Sequence, residues 1–187
     1  MAEKGFIFGM FNPIHYGHIN LIRIGLNESD KIGLYIGRKE KPDVLPYEIR
    51  RKSIESVLEQ ENISNKVSII KNSEKSLFDF YKKRYTSLII GSDVLNLLIP
   101  ESKLTEKERK MIASFKKIVF VNRGKNILGK IPAQILSKKS KLIEYHSTCS
   151  FSSSEIRKKV VNGEKIDELI PSYVMDIISP YTNFFNP

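Results

Sequence analysis

The sequence predicts an α/β fold built on a doubly wound parallel sheet, and three observations carry this prediction. Short apolar runs of β-forming residues alternate along the chain with amphipathic segments of helical spacing. The apolar runs are nearly continuous, as is typical of strands that helices cover on both faces. The length of 187 residues and the hydrophobic content of 41% suit one globular domain with a sizeable core.

The alternation predicts six strands and six helices. The predicted strands cover residues 6–8, 32–36, 67–70, 88–90, 118–121 and 142–145. The predicted helices cover residues 17–26, 47–59, 77–83, 103–113, 153–161 and 172–178. Because strands separated by helices form βαβ units, we expect a Rossmann-like single domain, residues 1–187, whose C-terminal part is helical from about residue 152. Ligands bind such sheets at the carboxyl ends of the strands, where the strand order reverses.

Charge and cysteine content narrow the classes of function. The net charge of +10 favours anionic partners such as nucleic acid, acidic lipid or small phosphorylated substrates. No long run of one sign resembles a nucleic-acid-binding tail. The single cysteine, Cys149, excludes an internal disulfide and fits a reducing, cytoplasmic setting. No apolar run approaches the roughly 18 residues of a membrane span and the N-terminus lacks a secretion signal, so we expect a cytoplasmic protein that does not enter the membrane.

The segment at residues 9–18, Gly-Met-Phe-Asn-Pro-Ile-His-Tyr-Gly-His, joins the first predicted strand to the first predicted helix. It contains two of the three histidines, His15 and His18. A zinc site, a structural pair of ring hydrogen bonds and phosphate binding are the three alternatives, and one further histidine with one cysteine is a poor ligand set for zinc. For phosphate, Gly17 permits close approach, and the start of a helix favours an anion. The segment contains neither GxxxxGK[ST] nor GxGxxG.

Residues 9–18 resemble the signature G-x-F-[DNQ]-P-x-H-x-G-H of the nucleotidyltransferase superfamily, which includes the nicotinate and nicotinamide mononucleotide adenylyltransferases and pantetheine-phosphate adenylyltransferase. A second motif agrees, since Phe-Ser-Ser-Ser-Glu-Ile-Arg at 151–157 resembles I-S-S-T-x-I-R of the same superfamily. On the residues alone, Ser152 and Glu155 predict a capping box at a helix start. Hydroxyl groups and the Arg157 guanidinium at that start also suit a polyphosphate, and we expect the two roles to coexist.

The middle of the chain resembles the pyridine-nucleotide branch of that superfamily. Residues 88–95 resemble its G-x-D segment, and residues 47–50, 118–124 and 169–174 resemble further segments, so that the resemblance covers nearly the whole chain. Three departures are Asn12, where bacterial nicotinate-type enzymes usually have Asp, Ser154 in place of Thr, and the absence of tryptophan. Many of those enzymes stack the pyridine ring on a tryptophan. The candidates to replace it here are Phe115, Tyr81 and Phe78.

The resemblance implies an adenylyltransferase that moves AMP from ATP to nicotinate or nicotinamide mononucleotide and releases pyrophosphate, a step of NAD synthesis. It implies catalytic roles for His15, His18 and Arg157. The implied ATP-binding residues are Gly9, Met10, Phe11, Gly17, Gly91, Asp93, Ser152, Ser153 and Ser154. Weaker candidates for the acceptor or its phosphate are Asn12, Lys41, Arg50 and Arg123. We expect Mg²⁺ to accompany ATP, held mostly by substrate and water rather than by protein ligands.

Two other functions stay open on the sequence. A sibling enzyme with another acceptor, such as phosphopantetheine, or with CTP as the donor, would carry the same two motifs. A non-catalytic nucleic-acid-binding or regulatory protein on this fold has only the +10 charge in its favour, and the intact histidine and serine motifs oppose it. We therefore expect no nucleic-acid partner. The sequence leaves a homo-oligomer open.

Overall fold

The computed structural model describes residues 2–38, 42–70, 85–91, 112, 114–122, 141–147, 149 and 151–185. The strands are Lys4–Gly9 (β1), Lys31–Ile36 (β2), Val67–Ile69 (β3), Ser87–Gly91 (β4), Lys117–Asn122 (β5) and Lys141–His146 (β6). The helices are Tyr16–Glu28 (α1), Tyr47–Gln60 (α2), Ser153–Val161 (α3) and Ser172–Ile178 (α4), followed by a 3₁₀-helix, Ser179–Phe185. All six predicted strands are confirmed.

Four of the predicted helices are confirmed as α1 to α4. The predicted helix at 77–83 and nearly all of the one at 103–113 lie outside the described residues. Pro46 and Pro171 stand immediately before α2 and α4, where a missing N–H group costs no helical hydrogen bond. Across the described ranges, no helix combines the length and apolar character needed to cross a bilayer.

The six strands form one sheet in the order β3-β2-β1-β4-β5-β6, and every neighbouring pair is parallel. This arrangement is doubly wound and Rossmann-like, which confirms the fold class that the sequence predicts. The strand order reverses between β1 and β4, which pair through Gly5 with Ser87 and Ile7 with Ile89. The carboxyl ends of these two strands, at Gly9 and Gly91, therefore flank the position where ligands bind in such sheets.

The sheet is buried on both faces. Alternate side chains of β1 belong to different cores, since Ile7 faces the helices α1 to α4 and Phe6 faces the opposite side. The second core continues through Leu88 of β4 and Phe120 of β5, both fully buried. A sheet packed on both sides holds its strand ends rigidly, so the loops that follow β1 and β2 start from fixed points.

Candidate functional site

A cavity of ≈ 370 Å³ opens at the carboxyl ends of β1 and β4. This size lies within the range of small-ligand sites, about 300–1,000 Å³. Nine of the residues predicted for the site line the cavity: Gly9, Met10, Phe11, His15, His18, Gly91, Ser152, Ser153 and Ser154. The two sequence motifs, from opposite ends of the chain, therefore meet at one place, and it is the place where the strand order reverses.

The turn after β1 depends on a glycine and a phenylalanine that the first motif specifies. Phe11 has a φ of 49°, in the left-handed region that costs a non-glycine residue about 1–2 kcal/mol. Its ring folds back and is 2% exposed. A Cβ at Gly9 would lie 3.2 Å from two carbons of that ring, so Gly9 leaves the space that Phe11 needs. The Phe11 ring in turn packs on His18, with ring centroids 4.9 Å apart.

His15 is the N-cap of α1. Its Nδ1 accepts a hydrogen bond from the backbone N–H of Gly17 at 3.1 Å, so the neutral ring carries its proton on Nε2. The centroids of the His15 and His18 rings are 3.9 Å apart, and Phe151 meets His15 edge-on at 5.4 Å. The first turn of α1 contains no acidic residue. The positive end of this helix and the imidazole N–H groups therefore favour an anion in the cavity.

The capping box at the start of α3 is confirmed. The Oγ of Ser152 accepts from the N–H of Glu155 at 3.3 Å. The Oε2 of Glu155 accepts from the N–H of Ser152 at 2.6 Å and from its hydroxyl at 2.7 Å. Both donors of Ser152 are thus used by one carboxylate. The expectation that capping and phosphate binding coexist at Ser152 stays a prediction, and a phosphate that accepts from Ser152 has to displace Glu155 from the same two hydrogen atoms.

Helix α3 is tied to the first motif by hydrogen bonds across the sequence. The hydroxyl of Ser153 donates to the carbonyl of Pro13 at 3.2 Å, between residues 140 positions apart. The Nη1 of Arg157 donates to the carbonyl of Asn12 at 2.9 Å, and its Nη2 donates to Oδ2 of Asp43 at 3.3 Å. Two of the predicted site residues in the second motif therefore contact the loop of the first.

Asn12 is buried and uses both ends of its amide. Its Nδ2 donates to the carbonyl of Asp43, and its Oδ1 accepts from the N–H of Leu45, each at 2.9 Å. An aspartate at this position could accept from Leu45 but has no donor for Asp43 when ionised. The asparagine that departs from the usual pattern therefore fits this chain's own loop, and its side chain faces that loop.

Arg50, predicted as a weaker candidate for phosphate, is 1% exposed and donates to backbone carbonyls. Its Nε donates to Leu45 at 2.9 Å, and its Nη1 donates to Met10 at 2.8 Å and Gly37 at 2.7 Å. Burial lowers the pKa of the Arg50 guanidinium, which nevertheless stays charged in a protein. Two of these carbonyls, those of Gly37 and Leu45, lie in the connection between β2 and α2, and that of Met10 lies in the turn after β1. Arg50 is therefore a buried clasp for the loops around the cavity.

The described aromatic residues that line the cavity are not among those expected to replace tryptophan. Phe115, proposed as a substitute for tryptophan, is 3% exposed and stacks on Phe6 in the second core with centroids 6.4 Å apart, so that expectation is wrong. Phe8 and Tyr35 line the cavity instead and lie opposite each other in the register of β1 and β2. The motifs do not single them out. Their position in the sequence could have indicated them, because each is the last aromatic residue of a strand that ends at the predicted site.

The remaining predicted residues fall in two groups. Gly17 lies in the first turn of α1 and is buried. Asp93, Lys41 and Arg123, with Tyr81 and Phe78, lie outside the described residues. Within the described ranges, no three His, Cys, Asp or Glu side chains cluster as metal ligands. The donors around the cavity are imidazole, hydroxyl and backbone N–H groups, which together suit an anionic ligand.

The site and the fold define the class of the protein. The family model described as cytidylyltransferase-like matches residues 6–159, and the chain therefore belongs to that family. It is a nucleotidyltransferase on a doubly wound sheet, with two helix starts at its cavity.

The following relatives are all named as adenylyltransferases of nicotinate or nicotinamide nucleotides. The probable nicotinate-nucleotide adenylyltransferase of Clostridium tetani is 28% identical over 204 aligned positions, covering 97% of this chain and 98% of that protein. The nicotinamide-nucleotide adenylyltransferase of Methanococcus aeolicus is 25% identical, covering 94% and 87%. A solved structure of Plasmodium falciparum nicotinic acid mononucleotide adenylyltransferase complexed with APC superposes with a TM-score of 0.75 at 22% identity, covering 100% of this chain and 99% of that one. That likeness establishes the fold.

Proposed function

We propose that the protein transfers AMP from ATP to nicotinate mononucleotide or nicotinamide mononucleotide and releases pyrophosphate, as a step of NAD synthesis. The observation that carries the proposal is the convergence of His15, His18 and residues 152–154 on one cavity at the reversal of strand order. The two curated relatives, a probable nicotinate-nucleotide and a nicotinamide-nucleotide adenylyltransferase, support this choice of acceptor.

The reaction needs no covalent enzyme intermediate. An oxygen of the acceptor phosphate attacks the α-phosphorus of ATP, a P–O bond forms, and the bond to the bridging oxygen of the β-phosphate breaks with its electrons leaving on pyrophosphate. Positioning and charge stabilisation supply the catalysis in such phosphorus chemistry. The Nε2–H of His15 and the ring of His18 donate to the α- and β-phosphates, where negative charge develops on the leaving group.

The start of α3 holds the leaving end of ATP. Ser153 and Ser154 line the cavity beside Ser152, and Arg157 lies one turn further along the helix. In this proposal the polyphosphate replaces Glu155 as the acceptor of the N–H and the hydroxyl of Ser152. Arg157 donates to the outer phosphates. ATP enters as its magnesium complex, in which the ion neutralises part of the phosphate charge.

The acceptor ring needs an apolar surface, and the paired aromatic side chains of Phe8 and Tyr35 offer one at the cavity wall. We propose that they contact the pyridine ring in place of a tryptophan. Tyr35→Ala then raises KM for the pyridine nucleotide about three- to tenfold, since an aromatic contact contributes roughly 0.5–1.5 kcal/mol. KM for ATP stays within about twofold, and a rise confined to ATP would contradict the assignment.

The decisive experiment is pyrophosphate release by the purified protein with ATP and Mg²⁺. Nicotinate mononucleotide, nicotinamide mononucleotide and phosphopantetheine are tested in parallel, and each is repeated with CTP because the matched family is cytidylyltransferase-like. We expect turnover with ATP and one pyridine nucleotide. Turnover with phosphopantetheine alone, or with CTP alone, would replace the proposal with that reaction. A protein that binds ATP but turns over none of the three acceptors would overturn it.

A further inference from the structure

Arg157 and Asp43 line a second cavity, of ≈ 620 Å³, beside α3. Ser154 is common to the two cavities, so the pair stands beside the proposed position of the polyphosphate. Neither sequence motif contains Asp43. A carboxylate next to a site for a highly charged anion opposes binding by repulsion, and its presence there calls for a physical reason.

The guanidinium of Arg157 is held in a fixed plane. It donates through Nη1 to the carbonyl of Asn12 at 2.9 Å, and through Nη2 to Oδ2 of Asp43 at 3.3 Å and to Oγ of Ser154 at 3.4 Å. The Arg157 side chain is 19% exposed. A guanidinium has five N–H groups, and these three bonds leave two of them for phosphate oxygens. The bonds restrict the orientation of the fork without consuming all its donors.

Asp43 is itself fixed by the first motif. Its backbone carbonyl accepts from Nδ2 of Asn12 at 2.9 Å, and the neighbouring N–H of Leu45 donates to Oδ1 of the same asparagine at 2.9 Å. The Nε of Arg50 donates to the carbonyl of Leu45 at 2.9 Å. The Asp43 carboxylate is therefore carried on a pinned loop, and its position relative to α3 is set by side chains buried under the site.

Stability does not account for the pair. The Asp43 side chain is 39% exposed, and ion pairs of such exposure contribute little to folding. We propose that Asp43 is a positioning residue that orients Arg157 toward the polyphosphate and acts through Arg157 alone. The inference rests on the proposed function, because it assumes that Arg157 bonds the phosphates of ATP.

The test is a double-mutant cycle read first as ATP binding. The Kd for ATP with Mg²⁺ is measured by calorimetry for the unaltered protein, Asp43→Ala, Arg157→Ala and the double variant. We expect Asp43→Ala to raise Kd about three- to tenfold, and to have no further effect in the Arg157→Ala protein, because residues that act as one unit are not additive. Asp43→Asn keeps an acceptor for Nη2 and restores Kd to within about twofold.

A merely structural or repulsive role predicts other results. If Asp43 only opposes phosphate, Asp43→Ala lowers Kd, and if it acts apart from Arg157, the two losses add; either result overturns the inference. An unchanged Kd in Arg157→Ala overturns it as well. Asp167→Ala removes an exposed carboxylate between α3 and α4 and serves as the matched control, with thermal melting of every variant.

Turnover gives the second reading and separates this inference from the proposed reaction. With a pyridine nucleotide as acceptor, we expect Asp43→Ala to lower kcat about ten- to a hundredfold, since a small misplacement of a catalytic group has effects of that order. If no pyridine nucleotide is turned over by the unaltered protein, the proposed function fails. The binding cycle still decides the role of Asp43.

Discussion

Two helices begin at the cavity, and their first turns are built in opposite ways. Helix α1 is capped by the imidazole of His15 and has no acidic residue in its first turn. Helix α3 is capped by Ser152 and has Glu155 in its first turn, with the carboxylate bonded back to the cap. Both starts present a positive helix end. The first turn of α1 supplies no carboxylate of its own, whereas that of α3 already holds one.

The difference separates two kinds of contribution. No acidic side chain lies in the first turn of α1, so a donor there does not exchange a carboxylate of that turn for a phosphate, and we expect its strength to act on charge that develops during transfer. A donor at α3 must exchange a carboxylate for a phosphate. That exchange weakens the binding of ATP before reaction and is reversed when pyrophosphate leaves, so we expect substitutions of Ser152 and Glu155 to act mainly on KM.

The largest effect is expected at α1, from His18→Ala. Loss of a preorganised donor to developing charge lowers turnover by about 100- to 1,000-fold, and we expect kcat to fall at least about a hundredfold in a folded protein. Steady-state kinetics and thermal melting measure the two quantities. His146→Ala removes an imidazole that is 79% exposed at the end of β6 and is the matched control. A loss below about tenfold would take His18 out of the catalytic role.

His15→Asn separates capping from chemistry at the same helix. Asparagine is a good N-cap, so we expect thermal stability to stay close to that of the unaltered protein. The Nε2–H donor is lost and the amide replaces it at a shorter reach, and kcat should therefore fall about ten- to a hundredfold. A variant with full activity would show that His15 serves α1 as a cap alone. A melting shift equal to that of His15→Ala would mean that the cap was not kept.

Ser152→Ala should show both of the roles that compete in α3. Loss of the cap lowers the free energy of unfolding by about 1 kcal/mol, measured by chemical denaturation. Loss of the hydroxyl donor raises KM for ATP about three- to tenfold. A hydrogen bond to a charged group contributes roughly 1.5–3 kcal/mol, and the bond that Ser152 already makes to Glu155 offsets part of that gain. Ser172→Ala, in the exposed first turn of α4, is the control. Reduced stability with unchanged KM would leave Ser152 a cap only.

The smallest effect, and the one of opposite sign, is expected from Glu155→Gln. Glutamine keeps an oxygen for the capping box while it removes the charge that a phosphate must displace. We expect KM for ATP to fall about two- to fivefold, the size of one charge acting through a solvated site. Glu168→Gln, an exposed site before α4, controls for net charge. An increase in KM would indicate that Glu155 assists ATP rather than competing with it.

The sequence predicts the elements because their signals are local. The six strands and four helices follow from apolar periodicity, and α3 and α4 begin and end at the predicted residues because a capping serine and a proline mark their starts. The cavity-lining histidines and serines follow from motifs of fixed spacing. What these signals share is that they depend on neighbours within one turn or one strand.

The misjudged residues depend on distant partners. Arg50 is predicted as a weaker candidate for phosphate, and only the folded chain shows that it donates instead to backbone carbonyls ten or more positions away. Phe115 was misplaced because a sequence does not state which face of the sheet an aromatic ring will cover. At Ser152, the hydroxyl donates to the same Glu155 carboxylate as the backbone N–H does, and the capping-box pattern does not include that second bond.

The clasp formed by Arg50 has a consequence for fluctuations of the native state. Arg50 is carried by α2, and its three acceptors belong to the turn after β1, the end of β2 and the segment before α2. Any opening that detaches α2 therefore strips the carbonyls of Met10 and Gly37 of their partner at the same moment. The amides around the cavity and those of α2 should then exchange with solvent as one cooperative unit, so that the site has no partly assembled form of its own.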